Sequence, residues 1–215
     1  MPEHRLLLVD DHGLVREGLR GLLEDVKGIS VIGEAGNGHE AIALCRELHP
    51  DIVLMDLSMP LLDGVSAVTM IRARWPAIRI LALTANISES NAAFALDSGA
   101  HGYLLKRSRL NVLLMAIERV AAGLTFIDPE MNSLQVQALR INSGKTSAGS
   151  SLTGRERQIL KLIAEGARNR DISALLSISL KTVETHRLNL MRKLDAHNAA
   201  DLTQCAFRFG LLVTE

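Results

Sequence analysis

Four short apolar runs in the first half of the chain each end on a reactive polar residue. Leu6-Leu7-Leu8-Val9 leads into Asp10 and Asp11, and Ile52-Val53-Leu54-Met55 leads into Asp56. Ile80-Leu81-Ala82-Leu83 ends at Thr84, and Tyr103-Leu104-Leu105 ends at Lys106. Continuous apolar runs of this length read as strands buried on both faces. The runs at 5–9, 29–33, 52–55, 78–83 and 101–105 alternate with stretches of helical spacing at 13–26, 38–48, 64–74, 88–98 and 108–122. Strand then helix, five times over, predicts a parallel sheet covered by helices on both sides. Turn formers fall between the elements: Gly36-Asn37-Gly38, Asp63-Gly64 and Ser98-Gly99.

The remainder has a different character. Residues 129–141 predict a short helix beginning at Asp128-Pro129. Residues 142–151, small and polar throughout, predict a flexible linker. From 152 onward only helical periodicity appears. Thr153 and Glu156 form a capping-box pattern ahead of Ile159-Leu160, and further helices are expected at about 168–176, 180–194 and 199–209. The expected organisation is a first domain over 1–125, a linker with a short helix over 126–151, and a small all-α domain over 152–215. Charge divides the same way: residues 1–128 hold 12 basic against 16 acidic residues, and 151–215 hold 10 against 7. A basic second domain favours a polyanionic partner. Cys45 and Cys205 lack metal or redox spacing and read as reduced thiols. The apolar stretches are far shorter than the roughly 18 residues of a membrane span, and Met-Pro-Glu-His-Arg opens no signal-peptide pattern, so no membrane and a cytoplasmic location are expected.

In a flavodoxin-like, doubly wound five-stranded sheet of order 2-1-3-4-5, the crevice opens between the carboxyl ends of strands one and three. Asp10, Asp11 and Asp56 would converge there. Three carboxylates disfavour one another unless a cation neutralises them, and hard oxygen ligands with open positions suit Mg²⁺. Lys106 and Thr84 add an ammonium and a hydroxyl from the neighbouring tips. That set matches phosphoryl transfer to a carboxylate.

The stretches Leu8-Val9-Asp10-Asp11-His12, Val53 through Pro60, Asp63-Gly64, Leu83-Thr84-Ala85 and Gly102 through Lys106 resemble the receiver domain of two-component response regulators, over essentially all of residues 4–122. The resemblance implies that Asp56 accepts a phosphoryl group from a sensor histidine kinase. It implies that Asp10, Asp11, Asp56 and the Ser58 backbone carbonyl hold Mg²⁺, that Thr84 and Lys106 contact the phosphoryl group, and that Thr84 and Tyr103 move together as a switch. It also implies that residues placed like Ser58 and Asn86 set the lifetime of the phosphoryl group. His101 and Arg107 depart from the commonest pattern, on a surface expected to bear on dimer geometry.

In the segment 180–194, an advance of 100° per residue puts Val183, His186, Leu190 and Leu194 on one face and Lys181, Glu184, Thr185, Leu188 and Arg192 on the other. With a short turn at Ser177-Ile178-Ser179 before it, this predicts a helix-turn-helix whose second helix enters a DNA major groove. Leu152 through Arg157, Ile172-Ser173, Lys181 through His186 and Met191 through Leu194 resemble the LuxR-type DNA-binding domain, and both halves together resemble the NarL/FixJ class. The DNA-facing set is then Lys181, Thr182, Glu184, Thr185, Arg187, Leu188, Arg192 and Lys193. Leu188, often polar in the family, is placed to touch a thymine methyl. Residues 199–209 would pair two copies on double-stranded DNA. The expected function is a phosphorylation-activated, sequence-specific transcription regulator, homodimeric when phosphorylated or on DNA. It would not be an enzyme beyond handling its own phosphoryl group. The alternatives are an output domain acting by protein–protein interaction, and an aspartyl-phosphate phosphotransferase on small molecules.

Overall fold

The computed structural model describes residues 3–59, 62–85, 87–146, 152, 154–176, 178–209 and 211. It divides into two compact units, Met1–Gln137 and Ala138–Glu215. In the first, β1 (His4–Val9), α1 (Gly13–Glu24), β2 (Ile29–Ala35), α2 (Gly38–Leu48), β3 (Ile52–Asp56), α3 (Gly64–Arg74), β4 (Arg79–Thr84), α4 (Glu89–Asp97), β5 (Gly102–Leu105), α5 (Leu110–Ala121) and β6 (Phe126–Ile127) follow in turn. The strands form one parallel sheet in the order β2-β1-β3-β4-β5-β6. The expected order of five is present, and β6 adds a sixth at the β5 edge.

Side chains alternate across a strand. Leu6, Leu8, Ile52, Leu54, Leu81, Leu83 and Leu104 pack with Leu23 of α1 and Leu113, Ala116, Ile117 and Val120 of α5. Their neighbours Leu7, Val53, Met55, Ile80, Ala82 and Tyr103 are equally buried, which is why the strands read as unbroken apolar runs. Helix starts follow short-range chemistry. Asn37 accepts from the His39 and Glu40 amides, Asp63 from Ser66, and Ser88 from Asn91, so each side chain satisfies a donor that the first turn leaves open. Both cysteines are free and buried, and burial pushes the Cys45 thiol up to about 12, leaving it inert.

After β6 the chain turns and enters α6 (Ser133–Thr146). The helix starts later than the sequence predicts and runs through the first part of the stretch read as flexible. The unit boundary falls inside it.

The second unit holds α7 (Gly154–Ala164), α8 (Asn169–Leu175), α9 (Leu180–Leu194) and α10 (Ala199–Arg208). Its core joins Leu152, Ile159, Leu160, Ile163, Ile172, Val183, Leu190, Ala196, Leu202 and Ala206. The proposed cap Thr153 lies outside the described residues, as do Pro60, Asn86 and Ser177. Side chains help to fasten the α8–α9 turn. Arg155 donates to the Leu176 carbonyl at 2.9 Å, and the Ser173 hydroxyl donates to that of Ile178 at 2.5 Å. Ser179 then caps α9 by accepting from the Thr182 amide at 3.1 Å. Among the described residues, no helix is long and apolar enough to cross a membrane.

Candidate functional site

Strand register brings the reactive tips together. Val9 pairs with Met55, so Asp10 lies level with Asp56. Asp56 pairs with Leu83 and Thr84 with Leu105, which sets Thr84 and Lys106 on the next strands at nearly the same height. The Lys106 Nζ lies 2.6 Å from Asp10 Oδ2 and 2.9 Å from Asp56 Oδ2. Both carboxylates are almost wholly buried. The other Asp56 oxygen accepts from the Ser58 amide at 3.0 Å. A Cβ on Gly64 would stand 2.0 Å from the Asp56 carbonyl oxygen, so only glycine lets α3 begin this close to the strand tip.

Burial pushes the Asp56 carboxyl above the ordinary carboxylate value. Lys106 and the Ser58 amide pull it back, and Asp10 adds to the rise. Burial also works against the Lys106 ammonium, yet Asp10 and Asp56 outweigh it and its pKa rises. The two shifts agree on one picture: a single ammonium serves two buried carboxylates and leaves the pocket short of positive charge. Asp10, Asp11, His12 and Asp56 each offer a ligand atom, all within 4.8 Å of one another. The three carboxylates of that set are oxygen donors, and they fit a hard divalent cation.

Thr84 and Tyr103 are both buried, Tyr103 completely. Burial raises the Tyr103 phenol to about 12, with the Thr84 hydroxyl opposing the rise. The Tyr103 hydroxyl makes no well-aligned hydrogen bond among the described residues.

On the helical unit, Leu180, Lys181, Thr182, Glu184, Thr185, Leu188 and Arg192 are exposed along α9, while Val183 and Leu190 are buried and His186 is half-buried. Two of the expected DNA-facing cations are engaged elsewhere. Arg187 donates to Asn169 Oδ1 of α8 at 2.9 Å, and Lys193 Nζ lies 2.7 Å from Glu156 Oε2, a carboxylate of α7 that is buried. Both fasten α9 to the body of the unit.

Residues 6–118 match the family described as response regulator receiver domain, and residues 150–206 match bacterial regulatory proteins, luxR family. The chain belongs to the response regulators. Similar relatives include the response regulator UvrY of Escherichia coli K12, 39% identical over 211 residues covering 98% of this chain and 96% of that protein. The response regulator protein VraR of Staphylococcus aureus is 36% identical over 208 residues, 97% of this chain and 98% of its own. Among solved structures, RcsB of Salmonella enterica serovar Typhimurium bound to promoter rprA with the phosphomimetic BeF₃⁻ is 27% identical, with a TM-score of 0.64 over 94% of this chain and 97% of that one.

This response regulator has three polar residues whose contacts sequence reasoning did not foresee. His12 was visible only as the end of the Asp10-Asp11-His12 run. Its Nδ1 lies 2.8 Å from Asp11 Oδ1 and 3.3 Å from Asp10 Oδ1. Asp128, expected to start a helix, is buried beside the end of β5. Its Oδ2 accepts from the Leu105 amide at 3.1 Å and from the Ser108 hydroxyl, its Oδ1 from the Glu130 amide at 2.9 Å, and its own amide donates to the Tyr103 carbonyl at 2.9 Å. His101 is the third: its Nδ1 accepts from the Ile80 amide at 3.1 Å, with Arg79 Nη1 3.1 Å from Nε2. The other departure from the common pattern, Arg107, pairs with Glu130.

Proposed function

We propose that Asp56 takes a phosphoryl group from the phosphohistidine of a sensor histidine kinase, and that the modified protein binds double-stranded DNA as a homodimer to control transcription. The observation that carries this is the shared ammonium: Lys106 within 3 Å of both Asp10 and Asp56. As a carboxylate oxygen of Asp56 attacks phosphorus and the phosphorus–nitrogen bond breaks, Lys106 and the Thr84 hydroxyl face the charge gathering on the phosphoryl oxygens. Asp10, Asp11, Asp56 and the Ser58 carbonyl would hold Mg²⁺, which supplies further charge neutralisation when bound. Thr84 and Tyr103 then act as the switch, biasing an equilibrium between two receiver states. The protein handles its own phosphoryl group and turns over no separate substrate.

The DNA reading rests on the exposed stripe Lys181, Thr182, Glu184, Thr185, Leu188 and Arg192, on the luxR-family match and on the DNA-bound state of the RcsB relative. Arg187 and Lys193 support it indirectly, by fixing the angle at which α9 stands. We take 1–125 as the receiver, 126–151 as the linker and 152–215 as the DNA-binding domain, and the location as cytoplasmic. Intact mass and DNA affinity, measured before and after acetyl phosphate treatment, test the proposal. The wild type is expected to gain one phosphoryl group and bind more tightly, and Asp56→Asn to do neither. Phosphoryl uptake by Asp56→Asn, or phosphorylation without any change in affinity, would overturn it.

A further inference from the structure

We propose that Thr185 and Leu188 read the 5-methyl groups of thymines near the centre of each DNA half-site; this rests on α9 being the helix that enters the major groove. Leu188 is 63% exposed, in the middle of a helix face otherwise made of Lys181, Glu184, Thr185 and Arg192. It takes no part in the core of its unit, which α9 enters through Val183 and Leu190. A large apolar side chain held in water at that point gains nothing from the fold.

Thr185 joins it through a bond made on the helix itself. Its hydroxyl donates to the Lys181 carbonyl at 2.9 Å, one turn back. The hydroxyl hydrogen is thereby committed to the backbone, and what Thr185 has left for a partner is its γ-methyl and an oxygen able only to accept. Residues three apart on a helix are neighbours, so the Thr185 methyl and the Leu188 side chain form one apolar spot. Exposed Lys181 and Arg192 lie along the same stripe, suited to phosphates. Glu184, which makes no ion pair among the described residues, lies at its margin. Of the four bases, only thymine offers an apolar group in the major groove, so a spot of this chemistry selects for it. Arginine or lysine at the same place would select guanine.

The test starts with full-length protein treated with beryllofluoride and a random-sequence DNA pool, from which the bound half-site is selected. Each thymine of that site is then replaced singly by deoxyuridine, and affinity is measured by fluorescence anisotropy at fixed salt. For the wild type, one or two central positions should lose about 4-fold, the worth of one methyl-sized group withdrawn from water. Leu188→Ala should erase the difference at one position. Thr185→Ser, which keeps the hydroxyl and loses the methyl, should erase it at its neighbour, and Thr185→Val should preserve it. Both side chains are exposed, so these variants keep the fold. A selected site bound equally with thymine and deoxyuridine throughout, or a difference that survives both Leu188→Ala and Thr185→Ser, overturns the methyl readout alone. Failure to select any bound sequence overturns the DNA-binding reading, and this one with it.

Discussion

Asp128→Ala should unfold the first unit more readily than any contact local to its own turn would explain. The carboxylate is buried and accepts from three donors: the Leu105 amide, the Ser108 hydroxyl and the Glu130 amide. Leu105 is itself buried in β5, so its amide would be left without a partner, at about 1–3 kcal/mol. Ser108 and Glu130 can turn to water and forfeit about 0.5–1.5 kcal/mol each, against which the relief of desolvating a carboxylate must be set. The net expectation is about 3 kcal/mol. Trp75 is the single tryptophan of the chain and lies in the first unit, so urea unfolding followed by its fluorescence reports that unit alone. With a slope of roughly 2 kcal/mol per molar, the midpoint should fall by about 1.5 M. Asp128→Asn, keeping one carbonyl oxygen, should fall by about half as much, and exchange of the Leu105 amide should quicken in both. A midpoint within about 0.3 M of the wild type for Asp128→Ala would refute the reasoning, because an orphaned amide on a buried strand residue cannot be that cheap.

Gly64→Ala forces a methyl against the Asp56 carbonyl and should cost about 1–3 kcal/mol, with a slowing of acetyl phosphate labelling by about 10-fold or more when followed by intact mass. Burial, together with the Arg72 and Arg79 guanidinium groups, holds His101 down to about 4 from its usual 6.5. The unfolded chain therefore binds the proton first, and stability is lost as pH falls from about 6.5 to about 4, by up to roughly 3 kcal/mol. His101→Gln should flatten that decline in urea titrations taken across the window. Lys181→Met should lower the slope of log affinity against log salt by about 0.9, while Lys193→Met should leave the slope unchanged and instead loosen α7, seen as faster amide exchange around Glu156.

The sheet was legible because buried strands and amphipathic helices leave opposite marks on a sequence, and because β1, β3, β4 and β5 end on residues whose chemistry makes sense only together. The sixth strand was not legible, since Phe126-Ile127 is too short to carry a period. Asp128 was misjudged for a related reason. Next to Pro129 it has the local look of a helix start, while its partners Leu105 and Ser108 lie more than 19 residues back along the chain. Polar composition suggested a loose segment from Asn142, where Asn, Ser, Gly and Thr are weak helix formers, yet α6 runs on to Thr146 as the extension of a helix begun at Ser133. On α9, a helical wheel separates the buried face from the exposed one correctly. It gives a side chain's direction and not its partner, so the bonds from Arg187 to Asn169 and from Lys193 to Glu156 were out of its reach.

The sixth strand also has a bearing on how copies of the protein can meet. A bare β5 would offer its outer row of amides and carbonyls to any extended chain, including another molecule's. Phe126 and Ile127 occupy part of that row, pairing with Gly102 and Tyr103. Pro129, two positions on, has no amide hydrogen with which to lengthen the pairing. The edge that remains is a strand of two residues, too short to offer another chain much backbone to pair with, so contacts made there draw mainly on side chains and can be undone without unpicking a sheet.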